Sequence, residues 1–302
     1  MKYSQPMYSL PILDFRQKLL LMALIVAAGA WLLKSEVILI NIAGILLLGL
    51  MYCHAQILQH ECLHGTAFKS KKMNTVVGVI LGMPMLVSFS HYRVSHLRHH
   101  AYLGTPRDQE FFGYHSLEEI RIRQLLLDLF GFSRIKCCFK NMATVLGYYE
   151  ADPKLFTSQA KSEYFLMIFL LLVALVSSFA FHSAVLLKFW ILPVILVAEP
   201  VYFLIELPEH LFCDKTTQDF YRNTRNIKGS WFSFWLTNGN NFHVEHHKNA
   251  GLATEHFPAK FLKTRESNYK YLEKSYPEFY LKVLSTHVFK ERISIKKAEV
   301  KL

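Results

Sequence analysis

The chain has 302 residues, of which 52% are hydrophobic, and its mean hydropathy is positive at +0.20. This composition is too apolar for an ordinary soluble domain and indicates a membrane protein. The net charge of +11 is compatible with nucleic-acid binding, but the apolar content and the lack of a nucleic-acid-binding motif argue against it. The five cysteines form no C-x-x-C pair, so we expect no disulfide framework and a polar part that faces a reducing cytoplasm.

Four apolar stretches each approach the ~20 residues that a helix needs to cross ~30 Å of hydrocarbon. Only "KSE" separates the first from the second, and only "HS" separates the third from the fourth, so each pair predicts a helical hairpin. The first stretch could also be a signal peptide, but a second apolar run follows at once. The predicted spans are residues 18–33, 37–56, 164–181 and 184–205.

Two further segments have apolar faces without being long enough to span. Residues 75–87 form an apolar run broken by Gly78, Gly82 and Pro84, which predicts an interfacial or re-entrant segment. Residues 117–140 are amphipathic. They fit either a cytosolic helix packed on the domain or a helix lying on the lipid surface.

The distribution of positive charge predicts the topology. The hairpin connections hold only Lys34, with Lys188 just inside the fourth span, and the other Lys and Arg lie in the termini and the middle segment. The positive-inside rule therefore places both termini and the middle segment in the cytoplasm. We expect a single all-α integral membrane domain over residues 1–302. It would have four transmembrane helices, a histidine-rich cytoplasmic cap and a basic tail at 260–302, in a bacterial inner membrane.

Eight of the 15 histidines fall in three tight clusters. The offsets i, i+3 and i+4 place the imidazoles of one cluster on one helical face. If the second span continues as a helix to the end of the first cluster, it is roughly 42 Å long and carries that cluster out of the hydrocarbon. All three clusters then meet on the cytoplasmic side. They are "HECLH" with His60 and His64, "HLRHH" with His96, His99 and His100, and "HVEHH" with His243, His246 and His247.

A ninth candidate is His210 in "ELPEH". Glu206 and Glu199 lie near the same helical face if the helix continues through Pro208, which could instead kink it. Glu199 falls inside an apolar run, where an ionisable residue suggests function, although a buried, protonated and hydrogen-bonded carboxyl is the alternative. The histidines that we expect to be ordinary are His54, His91, His115, His182, His256 and His287.

Eight or nine imidazoles exceed the three protein ligands of a catalytic zinc and suit two metals, and imidazole suits Zn, Cu, Fe and Ni alike. His60, Glu61 and His64 also spell the H-E-x-x-H motif of a zinc protease, with Glu61 as general base. That hypothesis leaves the other six clustered histidines without a role. A metal transport or storage protein fits the count, but its ligands would line a path through the spans.

The three clusters resemble the three histidine boxes of the membrane fatty acid desaturase and hydroxylase superfamily, and we call them the first, second and third box. The resemblance covers roughly residues 53–258, including "HHAYLGTPRDQE" after the second box, and "TRNIKGSW" and "NGNNF" before the third. It implies a four-helix membrane stem and a non-haem di-iron centre that oxidises an unactivated C–H bond with O2 to a double bond or an alcohol. The eight box histidines match the ligands, and His210 matches an additional ligand found in parts of the family. The substrates implied are acyl lipids or acyl thioesters, with carotenoids and sphingoid bases among those of relatives.

Metal-bound histidines usually donate their second N–H to a carboxylate or a carbonyl. In the resemblance Glu61 loses its protease role and becomes a box residue that could orient an imidazole. For each candidate the alternative is a solvent-exposed polar residue. Arg222, Arg225 and Trp231 are candidates for supporting the site or the substrate. The candidates for contacts behind the ligands are Glu61, Asp108, Glu206, Asn240, Asn241 and Glu245.

The reaction also needs two electrons per turnover, so we expect a separate donor of the ferredoxin or cytochrome b5 type with its reductase. A fused cytochrome b5 domain would need on the order of a hundred residues, and neither flank of the predicted spans provides them. The basic tail would steer an acidic donor to the cytoplasmic face. Anchoring of the tail to anionic membrane lipid is the alternative.

Overall fold

The computed structural model describes residues 7–8, 10–108 and 122–285, and its elements are helices apart from two short strands. This confirms the all-α expectation. The predictions for His115, for His287 and for the basic tail beyond residue 285 fall outside the described residues.

Four helical segments are long and apolar enough to cross a membrane, as predicted. They are α1 (Phe15–Leu32), α2 (Ile38–His64), α7 (Ser158–Ala180) and a segment over Leu187–His210. A capping box at Asp14 begins α1. The Asp14 side chain accepts from Gln17 N–H at 2.9 Å, and Asp14 N–H donates to the Gln17 side chain, also at 2.9 Å.

Helix α2 continues eight residues past the predicted end of the second span and includes the whole first histidine box. Its second half is almost entirely buried, because α1, α3 (Lys71–Gly82) and the fourth span pack around it. Gly65 ends the helix in the left-handed conformation at φ 76°, where glycine has no steric penalty. The box therefore occupies the buried end of a long helix.

The fifth apolar run forms α3 and a 3₁₀ turn at Met83–Met85, followed by α4 (Phe89–Tyr102) at an angle of 96°. This bend matches either a broken span or a re-entrant segment. Gln59 on α2 stabilises it, since its side-chain amide donates to Gly78 O at 2.9 Å and to Val87 O at 3.1 Å. The bend returns the chain so that α4 carries the second histidine box.

The fourth span contains two π-helical stretches, Leu187–Ile191 and Val194–Ala198, before α8 (Glu199–His210). Pro208 lies inside α8 and has no N–H to donate to Leu204 O. The Tyr280 hydroxyl takes over that carbonyl at 2.8 Å. The helix therefore reaches His210, and the proline does not disrupt the alignment.

The described part of the amphipathic stretch forms α5 (Ile122–Leu129), and α6 (Phe132–Val145) follows and packs against α7. Arg134 of α6 forms an ion pair with Glu199, donating from Nε to Glu199 Oε2 at 2.8 Å, and donates to Met85 O at 2.8 Å. Glu199 is thus a paired carboxylate that ties α6 to the fourth span. Its burial and hydrogen bonding match the second alternative, with an ion pair in place of a protonated carboxyl, and the functional role stays a prediction.

The cap over the spans consists of short elements that follow α8. They share an aromatic core of Phe234, Phe242, Phe257 and Phe261. The two strands pair in parallel, with Asn226 opposite Leu272. The elements are α9 (Phe220–Asn223), β1 (Asn226–Ile227), α10 (Trp231–Leu236), α11 (His243–Lys248), α12 (Phe257–Lys263), β2 (Leu272–Glu273) and α13 (residues 276–285), with 3₁₀ turns at Thr254–His256 and Glu266–Asn268.

Candidate metal centre

The nine histidines singled out in the sequence come together as two groups, and within each group the ligand atoms lie within 4.8 Å of one another. The four histidines of the second group are all buried, as are three of the five in the first. The first group is His60, His64, His96, His100 and His246, and the second group is His99, His210, His243 and His247.

The helical offsets divide two of the boxes between the groups. On α4, His96 and His100 are four residues apart and join the first group, while His99 joins the second. On α11 the pair four apart, His243 and His247, joins the second group, and His246 joins the first. Residues three or four apart on a helix are only about one turn apart, at a rise of 1.5 Å per residue, so each of these helices can supply imidazoles to two neighbouring sites.

In the first group the Nε2 atoms point at one another. His96 Nε2 lies 2.8 Å from His60 Nε2 and 3.0 Å from His100 Nε2, and His100 Nε2 lies 2.9 Å from His246 Nε2. These rings come from three different helices, α2, α4 and α11. The convergence is therefore a product of tertiary packing.

The second group repeats the arrangement around His243. Its Nε2 atom lies 3.0 Å from His210 Nε2 and 3.1 Å from His247 Nε2. A metal with bonds of about 2.0–2.1 Å to imidazole nitrogen holds neighbouring ligands at right angles about 3 Å apart. The spacing in both groups thus fits a metal ion bound by several imidazoles.

The protonation state of the third-box histidines also favours metal binding. Burial, reinforced by the neighbouring imidazoles, lowers the pKa of His243, His246 and His247 well below the usual value for histidine. A buried imidazole is neutral under these conditions, since the charged form loses its hydration. The neutral form carries the lone pair that a metal needs.

Contacts at Nδ1 fix the orientation of two rings in the second group. His99 Nδ1 lies 3.0 and 2.9 Å from the carboxylate oxygens of Asp108, and His210 Nδ1 lies 2.9 Å from Asn223 O. Because both partners only accept hydrogen bonds, each Nδ1 carries the proton and Nε2 is left as the lone-pair atom. Asp108 therefore lies behind the His99 ring, on the side away from Nε2.

The end of α8 is held by the segment that precedes β1. Arg225 N–H donates to Glu209 O at 2.8 Å, and the Arg225 guanidinium donates to Pro208 O. The last carbonyls of a helix have no partner within it, so these bonds cap α8 where it presents His210. Arg225 supports the site through the backbone, whereas Arg222 binds Asp214 at the surface and Trp231 binds Pro11 O.

Glu61 belongs to a buried network that the sequence did not reveal. Its Oε2 atom accepts from Asn238 at 2.6 Å and from Thr254 at 3.2 Å. Lys18 of α1, only 1% exposed, donates to Asn238 Oδ1 at 2.6 Å and to Thr254 Oγ1 at 3.3 Å. These four residues, which we name the lysine network, join α1 and α2 to the loop before the third box, through Asn238, and to the turn after it, through Thr254. Among the described residues the contacts of Glu61 go to this network and to no imidazole.

Two other candidates hold backbone segments in place. Glu245 accepts from Asn226 at 2.6 Å and from the Tyr269 hydroxyl, which connects α11 to β1. Asn241 donates to Ile227 O at 2.8 Å. Both residues position α11 and do not contact an imidazole in the described structure.

Near His210, the residue that sequence reasoning missed is Glu209. Glu206, the candidate named from sequence, lies half-buried one turn before His210. Glu209 Oε2 is 3.2 Å from His243 Nε2, and Glu209 Oε1 accepts from Asn240 at 2.9 Å. Asn240 therefore hydrogen-bonds the Glu209 carboxylate. The only signal in the sequence was the position of Glu209 directly before His210.

Histidines expected to be ordinary lie apart from the two groups. His54 is buried against Trp235, with ring centroids 4.7 Å apart, and its Nδ1 lies 2.9 Å from Leu236 O. His91 contacts the Tyr164 hydroxyl at 2.9 Å. Neither group includes His182 or His256.

Comparison with known proteins gives a family match and several curated relatives. The family model for fatty acid desaturases matches residues 37–279. The chain is 25% identical over 229 residues to dihydrorhizobitoxine desaturase of Bradyrhizobium elkanii, covering 69% of this chain and 63% of that protein. It is 35% identical over 77 residues to the chloroplastic omega-3 fatty acid desaturase of Glycine max, covering 26% of this chain and 17% of that protein.

A third relative is the sn-1 acyl-lipid omega-3 desaturase (ferredoxin) of Synechocystis sp., at 36% identity over 59 residues, or 20% of this chain and 16% of that protein. The alignments thus span less than two thirds of the length of each of these relatives. The family model, in contrast, covers most of this chain, including all three histidine boxes and His210. The chain therefore belongs to the fatty acid desaturase family.

Proposed function

We propose that this chain is a membrane-bound, O2-dependent desaturase of fatty acyl chains that uses two irons. The observation that carries the proposal is the convergence of nine imidazoles into two adjacent groups. Two metals side by side suit redox chemistry on an unactivated C–H bond, for which a single zinc has no accessible oxidation state. When bound, the two irons would supply the electron transfer and oxygen chemistry of the reaction.

The residues of this chain would hold that centre rigidly and exclude water from it. The first group would bind one metal and the second group the other. Asp108 and Asn223 O would keep His99 and His210 in the tautomer that presents Nε2. The lysine network and the capping of α8 would fix the helices that carry these rings.

The zinc-protease alternative is disfavoured by the surroundings of Glu61. A general base must reach a water or a substrate proton. Glu61 is buried and its carboxylate accepts from Asn238 and Thr254, so it is occupied with structural contacts. The six histidines of the other two boxes would also have no role in a protease.

An apolar cavity beside the fourth span supports a lipid substrate. Its volume is about 620 Å³, within the range of ligand sites, and Val201, Leu204 and Phe232 contribute to its apolar wall. Lys274 and Ser230 provide polar groups in the same cavity. We propose an acyl lipid or acyl thioester, whose chain would occupy the apolar part.

The proposed orientation places the histidine groups and both termini in the cytoplasm. Maleimide labelling of intact cells tests it, with Ser35→Cys and Ser183→Cys in the two hairpin turns. Both should react from outside, because the turns would face away from the cytoplasm. Labelling from outside at Ser95→Cys or Asn241→Cys would overturn this orientation.

The proposed electron donor is a separate acidic protein of the ferredoxin or cytochrome b5 type. Several cations of the tail are already paired within the chain: Lys270 contacts Asp214 at 2.6 Å and Lys282 contacts Glu273 at 2.5 Å. Steering would therefore rely on exposed residues such as Lys260 and Lys263. It predicts that turnover falls as salt shortens the Debye length from ~30 to ~8 Å. Flat turnover with weakened lipid association would favour membrane anchoring instead.

Expression in a host without such enzymes, with metal analysis of the purified protein, tests the function. We expect two irons per chain and new double bonds in acyl chains only when O2 and a donor are supplied. Hydroxylated lipids or oxidised carotenoids would instead indicate a hydroxylase or ketolase of the same superfamily. One zinc, no iron and O2-independent peptidase activity would refute the proposal.

A further inference from the structure

We propose that Glu209 is a further metal ligand, which completes the second group with a carboxylate. The inference rests on the proposed function only in requiring that the two groups bind metals. It assigns to this chain a centre with unlike halves, five imidazoles on one side and four imidazoles with one carboxylate on the other.

Distances support this role. Glu209 Oε2 lies 3.2 Å from His243 Nε2, and the two imidazole nitrogens around the same atom lie at 3.0 and 3.1 Å. Carboxylate oxygen binds metals at about 2.0–2.2 Å, close to the distance for imidazole nitrogen. The carboxylate oxygen thus lies beside the same His243 Nε2 atom as the ligand nitrogens of His210 and His247.

The surroundings present one oxygen to the group and restrain the other. Glu209 Oε1 accepts from Asn240 at 2.9 Å, and the Glu209 carbonyl accepts from Arg225 N–H at 2.8 Å. The residue is 6% exposed. Its side chain therefore has little freedom to turn towards solvent.

Charge gives a second reason. A buried carboxylate is costly unless a cation or several donors compensate it. A divalent metal bound at the second group would place positive charge directly beside the Glu209 carboxylate. The alternative is a simple hydrogen bond from His243 to Glu209.

The test compares metal binding by the purified full chain and its Glu209→Gln variant, using iron content and competition with a chelator. We expect the affinity for one of the two metals to fall at least 10-fold, since even the loss of a residue behind a ligand costs about 10–100-fold. The other metal should stay. Glu209→His, which offers a new ligand nitrogen, should restore much of the lost affinity.

Glu163→Gln is the matched control. Glu163 is equally buried, at 5% exposure, but its carboxylate accepts from Ser88 and Ser90. The control should keep both metals at wild-type affinity. If Glu209→Gln also keeps both, with an unchanged cobalt(II) absorption spectrum, Glu209 only hydrogen-bonds His243 and the inference is refuted.

A measurement on the wild-type chain covers the case in which Glu209→Gln does not fold. Infrared difference spectra on adding the second equivalent of metal should show a carboxylate band moving to a metal-bound position, and its absence would overturn the inference. The proposed function fails separately, if the wild-type chain binds no iron or forms no double bonds. Two irons with an unchanged Glu209→Gln variant would reject Glu209 alone.

Discussion

The two histidine groups share α4 and α11 but differ in chemical surroundings. The first group draws five imidazoles from α2, α4 and α11, and the second draws four from α4, α8 and α11. The second group also has Asp108 against His99 and Glu209 against His243. Carboxylates behind or beside a metal raise ligand basicity and compensate positive charge. Two metals held in these groups would therefore not be equivalent.

The groups are also in direct contact. His100 of the first group stacks on His247 of the second, with ring centroids 4.3 Å apart. Because α4 and α11 each supply rings to both groups, the backbone of these helices fixes the separation of the sites. Changes at matched residues of the two groups therefore measure how far the two sites are independent.

The largest effect is expected from removing one imidazole from each group. His243 and His246 are both 2% exposed and both lie on α11, so they form a matched pair. We expect His243→Ala to lose the second metal and His246→Ala the first, each with desaturation reduced more than 100-fold, since even residues behind the ligands cost 10–100-fold.

Metal content and product formation measured on the same preparations check this prediction. Each variant should keep about half the metal of the wild-type chain. Loss of both metals in both variants would mean that the two groups bind cooperatively as one unit. Full activity in either variant would remove that histidine from the centre.

Sequence patterns predicted the spans and the boxes because these depend on short-range regularities. Apolar length predicts a span, and the offsets i, i+3 and i+4 predict which imidazoles share a helical face. The ends of the helices were less predictable. The second span continues past Gln56 because its last turns are buried by packing against other helices, which composition does not express.

The division of the second and third boxes between two groups could not be predicted, because it depends on how α2, α8 and α11 approach α4. The same reason applies to Lys18 and Glu209. Lys18 meets Asn238 across 220 positions of the chain, and Glu209 meets Asn240 across 31 positions. From the sequence alone, a lysine at the start of an apolar span is predicted to be an interfacial residue, and its buried partner is known only from the fold.

The next largest effect is expected from the lysine network, which lies beside the first group through Glu61. Lys18 reaches Glu61 through Asn238 and Thr254, to which it donates. Lys18→Met would leave these buried groups without their donor and Glu61 without its nearby cation, and an unsatisfied buried polar group costs about 1–3 kcal/mol. The double variant Lys18→Met with Glu61→Gln removes both charges and should recover most of the stability.

Thermal unfolding of the detergent-solubilised variants, analysed as a double-mutant cycle, measures this coupling. Glu61→Gln alone should be less harmful to activity than the loss of a base is to a protease. Equal destabilisation of the single and the double variant would show that Lys18 contributes through packing of its alkyl chain and not through its charge.

The smallest effect is expected at Asp108, because it acts on the second group only through His99. Its carboxylate lies 2.9 Å from His99 Nδ1, and Asp108→Asn keeps an oxygen acceptor of similar size while removing the charge. The weaker acceptor should lower the affinity of the second metal by about 10–100-fold and leave the first unchanged. Asp152→Asn is the control, because Asp152 is exposed and pairs with Arg98 of the same helix α4, not with a histidine of either group. Chelator competition on both variants separates the possibilities. An equal loss of both metals in Asp108→Asn would show that α4 transmits the change to both groups, and the two halves of the centre would then differ in their ligands but not in their independence.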